Sequence, residues 1–114
     1  MSDLIAQRVI EESVPGKQIT LAHVIAAPIA SVYHSLGLDE AGAIGILTLS
    51  PFETAMIAAD TAAKVADVEI GFLDRFTGSV VITGDVESVE TSLNEVLRVF
   101  KEVLKFTVVD VTRT

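Results

Sequence analysis

The stretch "AIGILTLS", Ala43 to Ser50, restricts the fold of this chain more than any other. Successive side chains of an extended strand point to opposite faces of a sheet, so a strand with one wet face alternates apolar and polar residues. This run does not alternate. It marks a strand covered on both faces, and other parts of the chain must therefore pack above and below it.

The residues that follow supply those parts. "SPFE" has Ser50 as a helix N-cap, Pro51 at the first helical position and Glu53 three residues after the cap, the pattern of a capping box. The helix it is expected to open, "PFETAMIAADTAAKVA", is made almost entirely of small residues and can lie close to a sheet and to a neighbouring helix. "VEIGFLDRF" and "SVVITGD" read as two strands joined by a turn whose twist suits Gly78. Asp85 caps a second helix. In it Val86, Val89, Leu93, Val96, Leu97, Phe100, Val103 and Leu104 recur at helical spacing, with Glu87, Glu90, Asn94, Arg98 and Lys101 opposite. "FTVVDVTRT" is expected as a final strand.

Two elements precede Ala43. In "GKQITLAHVIA", Ile19, Leu21, His23 and Ile25 share one strand face and Thr20, Ala22, Val24 and Ala26 the other, which predicts a strand from about Lys17 to Ile25. A short helix begins near Pro28 and ends at "LGL", with Gly37 as C-cap. Its apolar residues Ala27, Ile29, Ala30 and Val32 are expected to be core, with cover for a neighbouring subunit as the alternative, and His34 is expected on the surface. From Ala43 onward the order strand, helix, strand, strand, helix, strand is the split βαβ pattern of an α+β, ferredoxin-like βαββαβ sandwich, with an added N-terminal strand and helix.

Composition limits what such a domain can do. A chain of 114 residues, half of them apolar, suffices for one compact domain and not for two. Sixteen acidic against eight basic residues give a net charge of −8, which has no long-range attraction for nucleic acid or an anionic membrane, so neither is an expected partner. The absence of cysteine excludes disulfides and thiolate metal sites and suits the cytosol. "MSDLIAQRVIEES" has no basic start or long apolar core, and Val24 to Leu38 is short for a membrane span and carries Pro28 and His34. A soluble protein is expected. Aromatic residues are few, and small-molecule pockets usually borrow aromatic walls, so a deep private pocket is not expected.

"VPGKQITLAH", "AIGILTLSPFETAMIAAD", "KVADVEIGFLDRFTGSVVITGDV" and the ending "VTRT" together resemble the circularly permuted, single-domain shell proteins of bacterial microcompartments, among them the hexameric shell proteins of propanediol- and ethanolamine-utilisation compartments. The resemblance runs from about Val9 to the last residue. It implies a homohexamer that tiles a polyhedral shell around metabolic enzymes in the bacterial cytoplasm. It implies other shell proteins as partners, with encapsulated enzymes as further candidates, and no cofactor. Residues 17–114 would be the permuted shell domain. Residues 1–16 would be a tail that forms a six-fold β-barrel over the hexamer's central passage through Val9, Ile10, Glu11, Glu12, Ser13, Val14 and Pro15.

Several side chains then carry more than one reading. Asp74 and Arg75 point to opposite faces of an extended chain and cannot easily converge on one substrate atom. The resemblance offers Asp74, Arg75, Phe76, Thr77 and Gly78 as a hub-lining loop, a bridge between subunits is an equal alternative, and a local turn is a third. Lys64 matches the lysine with which ordinary shell tiles touch their neighbours, and it also suits a helix C-terminus as a cation. Thr83 stands where many such tiles carry an arginine, so that second contact is absent or different. His23 reads as a hydrogen-bonded structural histidine. Glu11 and Glu12, adjacent carboxylates with no third ligand type, read as solvated positions before a metal site.

No nucleophile elbow, phosphate loop, cofactor fingerprint or histidine pair at ligand spacing supports catalysis or a metal. The reading is a structural shell protein. A metabolite-sensing oligomeric regulator of ferredoxin-like fold is the alternative from another class, and an enzyme is the third.

Overall fold

The run that does not alternate becomes the middle strand of a five-stranded sheet. In the computed structural model, which describes residues 16–114, the elements in chain order are β1 (Gln18–Ala26), α1 (Ala30–Leu36), β2 (Ala43–Ser50), α2 (Ala55–Val65), β3 (Val68–Asp74), β4 (Ser79–Gly84), α3 (Val86–Glu102) and β5 (Thr112–Arg113). The sheet order is β3-β4-β2-β1-β5, with only β1 and β5 parallel. The expected barrel residues Val9 to Pro15 lie outside the described residues.

Both faces of β2 are covered, as its composition requires. Toward one face Ala43, Leu47 and Leu49 join Val80, Ile82, Val89, Leu93, Val96 and Phe100 in the main core beneath α2 and α3. Toward the other, Ile44 and Val81 pack on Tyr33 of α1, whose hydroxyl donates to the Ala41 carbonyl at 2.8 Å. α1 is a thin cover. Val32 and Tyr33 hold it down, whereas Ala27, Ala30 and Ile29, the last 70% exposed, face outward, so its apolar excess is core only in part.

Capping chemistry is right at two helix ends and wrong at a third. Gly37 ends α1 with φ of 72°, and the Asp85 carboxylate opens α3 by accepting from the Ser88 amide at 2.8 Å. The capping box at "SPFE" does not form. Ser50 is still paired with Gln18 in the sheet, a 3-10 turn occupies Phe52–Thr54, and α2 begins only at Ala55. From there Ala55, Ala58, Ala59 and Ala62 are buried, so the helix rests on its neighbours through methyl groups.

Sheet register departs from strict alternation twice. An irregularity between Ile19 and Leu21 turns Ile19 onto the core face with Ala22 and Val24, leaving Leu21 40% exposed, so the expected grouping of Ile19 with Leu21 fails. A second one lies between Ile70 and Phe72 in β3.

The main topological difference from a ferredoxin-like sandwich lies at the other side of the sheet. The added strand β1 takes the edge of β2, and the last segment runs outside it. That segment is a strand only at Thr112–Arg113, with one isolated bridge between Gln18 and Thr107. Thr107 and Thr112 keep the same offset from β1, so the segment follows β1 throughout while 108–111 leave the ladder and Val108 and Val111 lean on the core. Val103, expected in the core, is 63% exposed because α3 ends at Glu102.

His23 stitches this segment down. Nδ1 lies 2.6 Å from Thr112 Oγ1 and Nε2 lies 2.9 Å from Thr114 Oγ1. The Thr112 hydroxyl points to the Ala22 carbonyl at 3.4 Å, so it accepts from Nδ1–H while Nε2 accepts from Thr114. The histidine is structural, as expected. His23→Ala should lower unfolding free energy by about 1–2 kcal/mol in denaturant titration, roughly two neutral hydrogen bonds. An unchanged midpoint would remove His23 from this role.

Candidate functional site

The stretch "LDRFTG" forms a closed turn at one end of the sheet. Asp74 Oδ1 accepts from the amides of Phe76 at 2.9 Å and Thr77 at 3.3 Å, and the Gly78 amide donates to the Asp74 carbonyl at 2.8 Å. The Phe76 amide foremost, with Thr77 adding to it, holds the Asp74 carboxyl below its ordinary value. Asp74 Oδ1 is therefore committed to its own turn.

Arg75 and Phe76 point outward instead. The guanidinium carbon stands 5.1 Å from the Phe76 ring centroid, a cation–π contact, and Phe76 is 74% exposed. Of the three sequence readings the local turn accounts for Asp74, Thr77 and Gly78 within one chain. Arg75 and Phe76 are left presented to solvent.

Gly78 fixes where this turn stands. With φ of 76° it occupies the left-handed region, and its carbonyl accepts from the Leu49 amide at 2.9 Å. A Cβ placed there would lie 2.1 Å from the Leu49 carbonyl oxygen and 3.3 Å from the Phe52 Cα. The turn is thus pressed against the end of β2 and the 3-10 turn. Phe52, 45% exposed, belongs to this surface and was missed in the sequence, where it read as the second residue of a helix.

Lys64 stands in the last turn of α2 with Nζ 2.8 Å from Asp60 Oδ2, and both side chains are well exposed. An exposed pair of this kind contributes little to stability, so the lysine is available to another partner. Thr83 is buried in β4 at the wall of an open concavity of about 390 Å³ that also has Asp39, Glu40, Asp67, Glu69 and Asp85 on it. Among the described residues no group of three or more histidine or acidic side chains could hold a metal ion. No described helix is long and apolar enough to cross a membrane. His34 lies on the surface of α1, 3.4 Å from Glu40.

More informative than any polar cluster is the apolar surface. Ile29, Met56, Ile57, Ile70 and Phe72 are each at least 40% exposed although the core is complete without them. Met56 and Ile57 sit on α2 out of phase with its alanine face, a signal that the sequence carried and that went unread. Exposed aliphatic groups spread over a helix and a sheet edge are typical of surfaces that meet other protein.

The class this fold defines is also recovered by comparison. Residues 43–112 match the BMC domain, and the chain belongs to the bacterial microcompartment shell proteins. Among individual relatives, the shell protein CutR of Streptococcus intermedius is 61% identical over 107 residues, covering 94% of this chain and 92% of that protein. PduU of Salmonella typhimurium is 56% identical, covering 94% and 93%. CutR has been solved as a flat hexamer, matching with a TM-score of 0.85 at 60% identity over 90% of this chain and 94% of that one. It has also been solved as a dimer with domain swap, with a TM-score of 0.66 at 58% identity over 87% and 100%.

Two measurements test the turn. Gly78→Ala should cost about 2–4 kcal/mol, since the new methyl meets a carbonyl and the left-handed conformation. A smaller loss than an ordinary surface substitution would contradict the close approach. The lowered Asp74 value means that its stabilisation is present above the ordinary carboxylate pKa and is lost as pH falls through the folded value. Amide exchange at Phe76 and Thr77 should therefore accelerate as pH falls below the ordinary carboxylate range, beyond the intrinsic trend, and Asp74→Asn should flatten that change.

Proposed function

We propose that this chain is a structural, non-catalytic tile of a bacterial microcompartment shell in the cytoplasm, a homohexamer packed with other shell proteins around metabolic enzymes. The observation that carries the reading is the match to the flat CutR hexamer over nine-tenths of the chain at 60% identity, together with exposed apolar side chains on α2 and β3. In a cyclic ring each residue recurs at every subunit, so one exposed Arg75–Phe76 pair becomes a ring of six or a repeated bridge. Under this reading Asp74, Arg75, Phe76, Thr77 and Gly78 lie at the hub or at a subunit contact. Lys64 is a tile-edge residue.

The shell domain is read as circularly permuted. The family match begins only at Ala43, leaving β1 and α1 ahead of it. The Thr107 amide donates to the Lys17 carbonyl at 3.0 Å, so the exit of α3 lies beside the start of β1, where an unpermuted chain would run straight on. The tail through Val9, Ile10, Glu11, Glu12, Ser13, Val14 and Pro15 is read as one strand of a six-fold barrel that closes the centre, since closure removes the free edges that one tail alone would leave. The domain-swapped CutR dimer supports one addition: copies of this chain can trade a piece of their fold.

Native mass spectrometry of the purified full chain should show six copies at micromolar concentration, and imaging should show sheets or tubes. A dimer that binds a metabolite saturably would sink the tile reading in favour of a sensor. Lys64→Asp should keep the ring and abolish sheets, because reversing the charge weakens the edge without touching subunit contacts; an intact lattice would reduce Lys64 to a helix-end charge. Deleting residues 1–15 should keep the ring and raise small-solute leakage through shells built with it. Collapse of the ring would make the tail a fastening and not a plug.

A further inference from the structure

We infer that the piece copies of this chain trade is the segment Phe106–Thr114, which leaves β1 of its own chain and lies along β1 of a second copy. This rests on the exchange reading above and names its part. After Phe106, the backbone bonds of the segment all go to residues far back in sequence: Thr107 donates to Lys17 at 3.0 Å and accepts from Ile19 at 2.8 Å, and Thr114 donates to Val24 and accepts from Ala26, both at 2.9 Å. Its side chains do the same. Thr112 and Thr114 meet His23, and Arg113 Nη1 lies 3.2 Å from Glu90 Oε2. Each of these partners can be supplied equally well by another molecule of identical sequence, so the exchanged and closed forms have nearly the same bonds.

What decides between them is the connection. α3 ends at Glu102, Val103 is 63% exposed, and Lys105 has φ of 64°, a left-handed conformation without glycine's freedom. Folding the segment back onto its own β1 requires that conformation, and letting it extend toward a neighbour releases it. Residues 108–111 make no ladder with β1, so the sheet bonds to be released lie at the two ends of the segment, while Phe106, Val108 and Val111 exchange their core contacts for the same ones in the second copy. The local bonds lost are few: the Phe106 amide donates to the Phe100 carbonyl at 2.8 Å and the two rings meet edge to face at 4.8 Å, a contact that a second copy can also provide.

β1 and α1 are the competing candidate, with Ala27 at φ of 50° as their hinge. They are less favoured because β1 is paired along its whole length with β2, so removing it breaks a full ladder in addition to its core packing at Ile19, Ala22 and Val24, whereas the last segment has only short pairings at its two ends.

The chain has no cysteine, which allows a direct test. His23→Cys with Thr112→Cys links β1 to β5, and Leu21→Cys with Thr48→Cys links β1 to β2, each pair facing across its ladder. Both double variants of the full chain are purified reduced, concentrated, oxidised and run on non-reducing denaturing gels. The expected result is a covalent dimer from the first pair and only monomer from the second. Dimers from both would assign the exchange to β1 and α1 and overturn this inference while keeping exchange. Monomers from both would show that no exchange occurs. Adding Lys105→Gly to the first pair should lower the dimer fraction about five-fold, because glycine removes the strain that favours opening; an unchanged fraction would remove Lys105 as the hinge.

Discussion

A strand that is apolar on both sides cannot exist at a surface, and the architecture of this chain is largely the means of covering β2. One face meets α3, which comes so near at Gly45 that a Cβ there would lie 2.7 Å from the Val89 side chain. The other face meets Tyr33 of α1. The edges are shielded in the same way, by β4 on one side and β1 on the other. Because β1 takes the second edge, the last segment is displaced outward and left with one neighbour. Covering β2 thus leaves Thr112–Arg113 as an edge strand paired on one side only.

Much of this was legible because local chemistry and global packing agree. Gly37 and Asp85 cap the helices their residue types predict, and the apolar stripe Val89, Leu93, Val96, Leu97 and Phe100 of α3 is the core face it spells. The failures have a common cause, competition from neighbouring chain. Ser50 has the chemistry of an N-cap but is held in the sheet by Gln18. Ile19 follows the pleat of a bulged strand and not the parity of its position. Residues 108–111 have the composition of a strand, yet Val108 and Val111 turn to the core and leave the ladder. The competitors of Ser50 and of residues 108–111 are distant in sequence.

The loop Asp74–Gly78 shows the same limit at an exposed surface. Its turn chemistry is contained in five consecutive residues and could be read directly. Within the chain Arg75 and Phe76 meet each other and solvent, and no intrachain pattern encodes a further partner for them. Apolar side chains without an intrachain role, Met56 and Ile57 above all, are the nearest thing to a sequence record of assembly.

One small contact governs how well such a surface can be positioned. α2 touches its neighbours through alanine methyl groups, which are too short to interlock with the ridges of another helix. Against so smooth a seat, a shift along the helix axis meets little steric resistance. The buried Ser92 hydroxyl donates to the Ala62 carbonyl at 3.0 Å, satisfying one of the last four carbonyls of the helix. It acts as a locating pin in a plain bearing: the alanines allow close approach, and the serine sets the axial position at which Lys64, two residues further on, is presented.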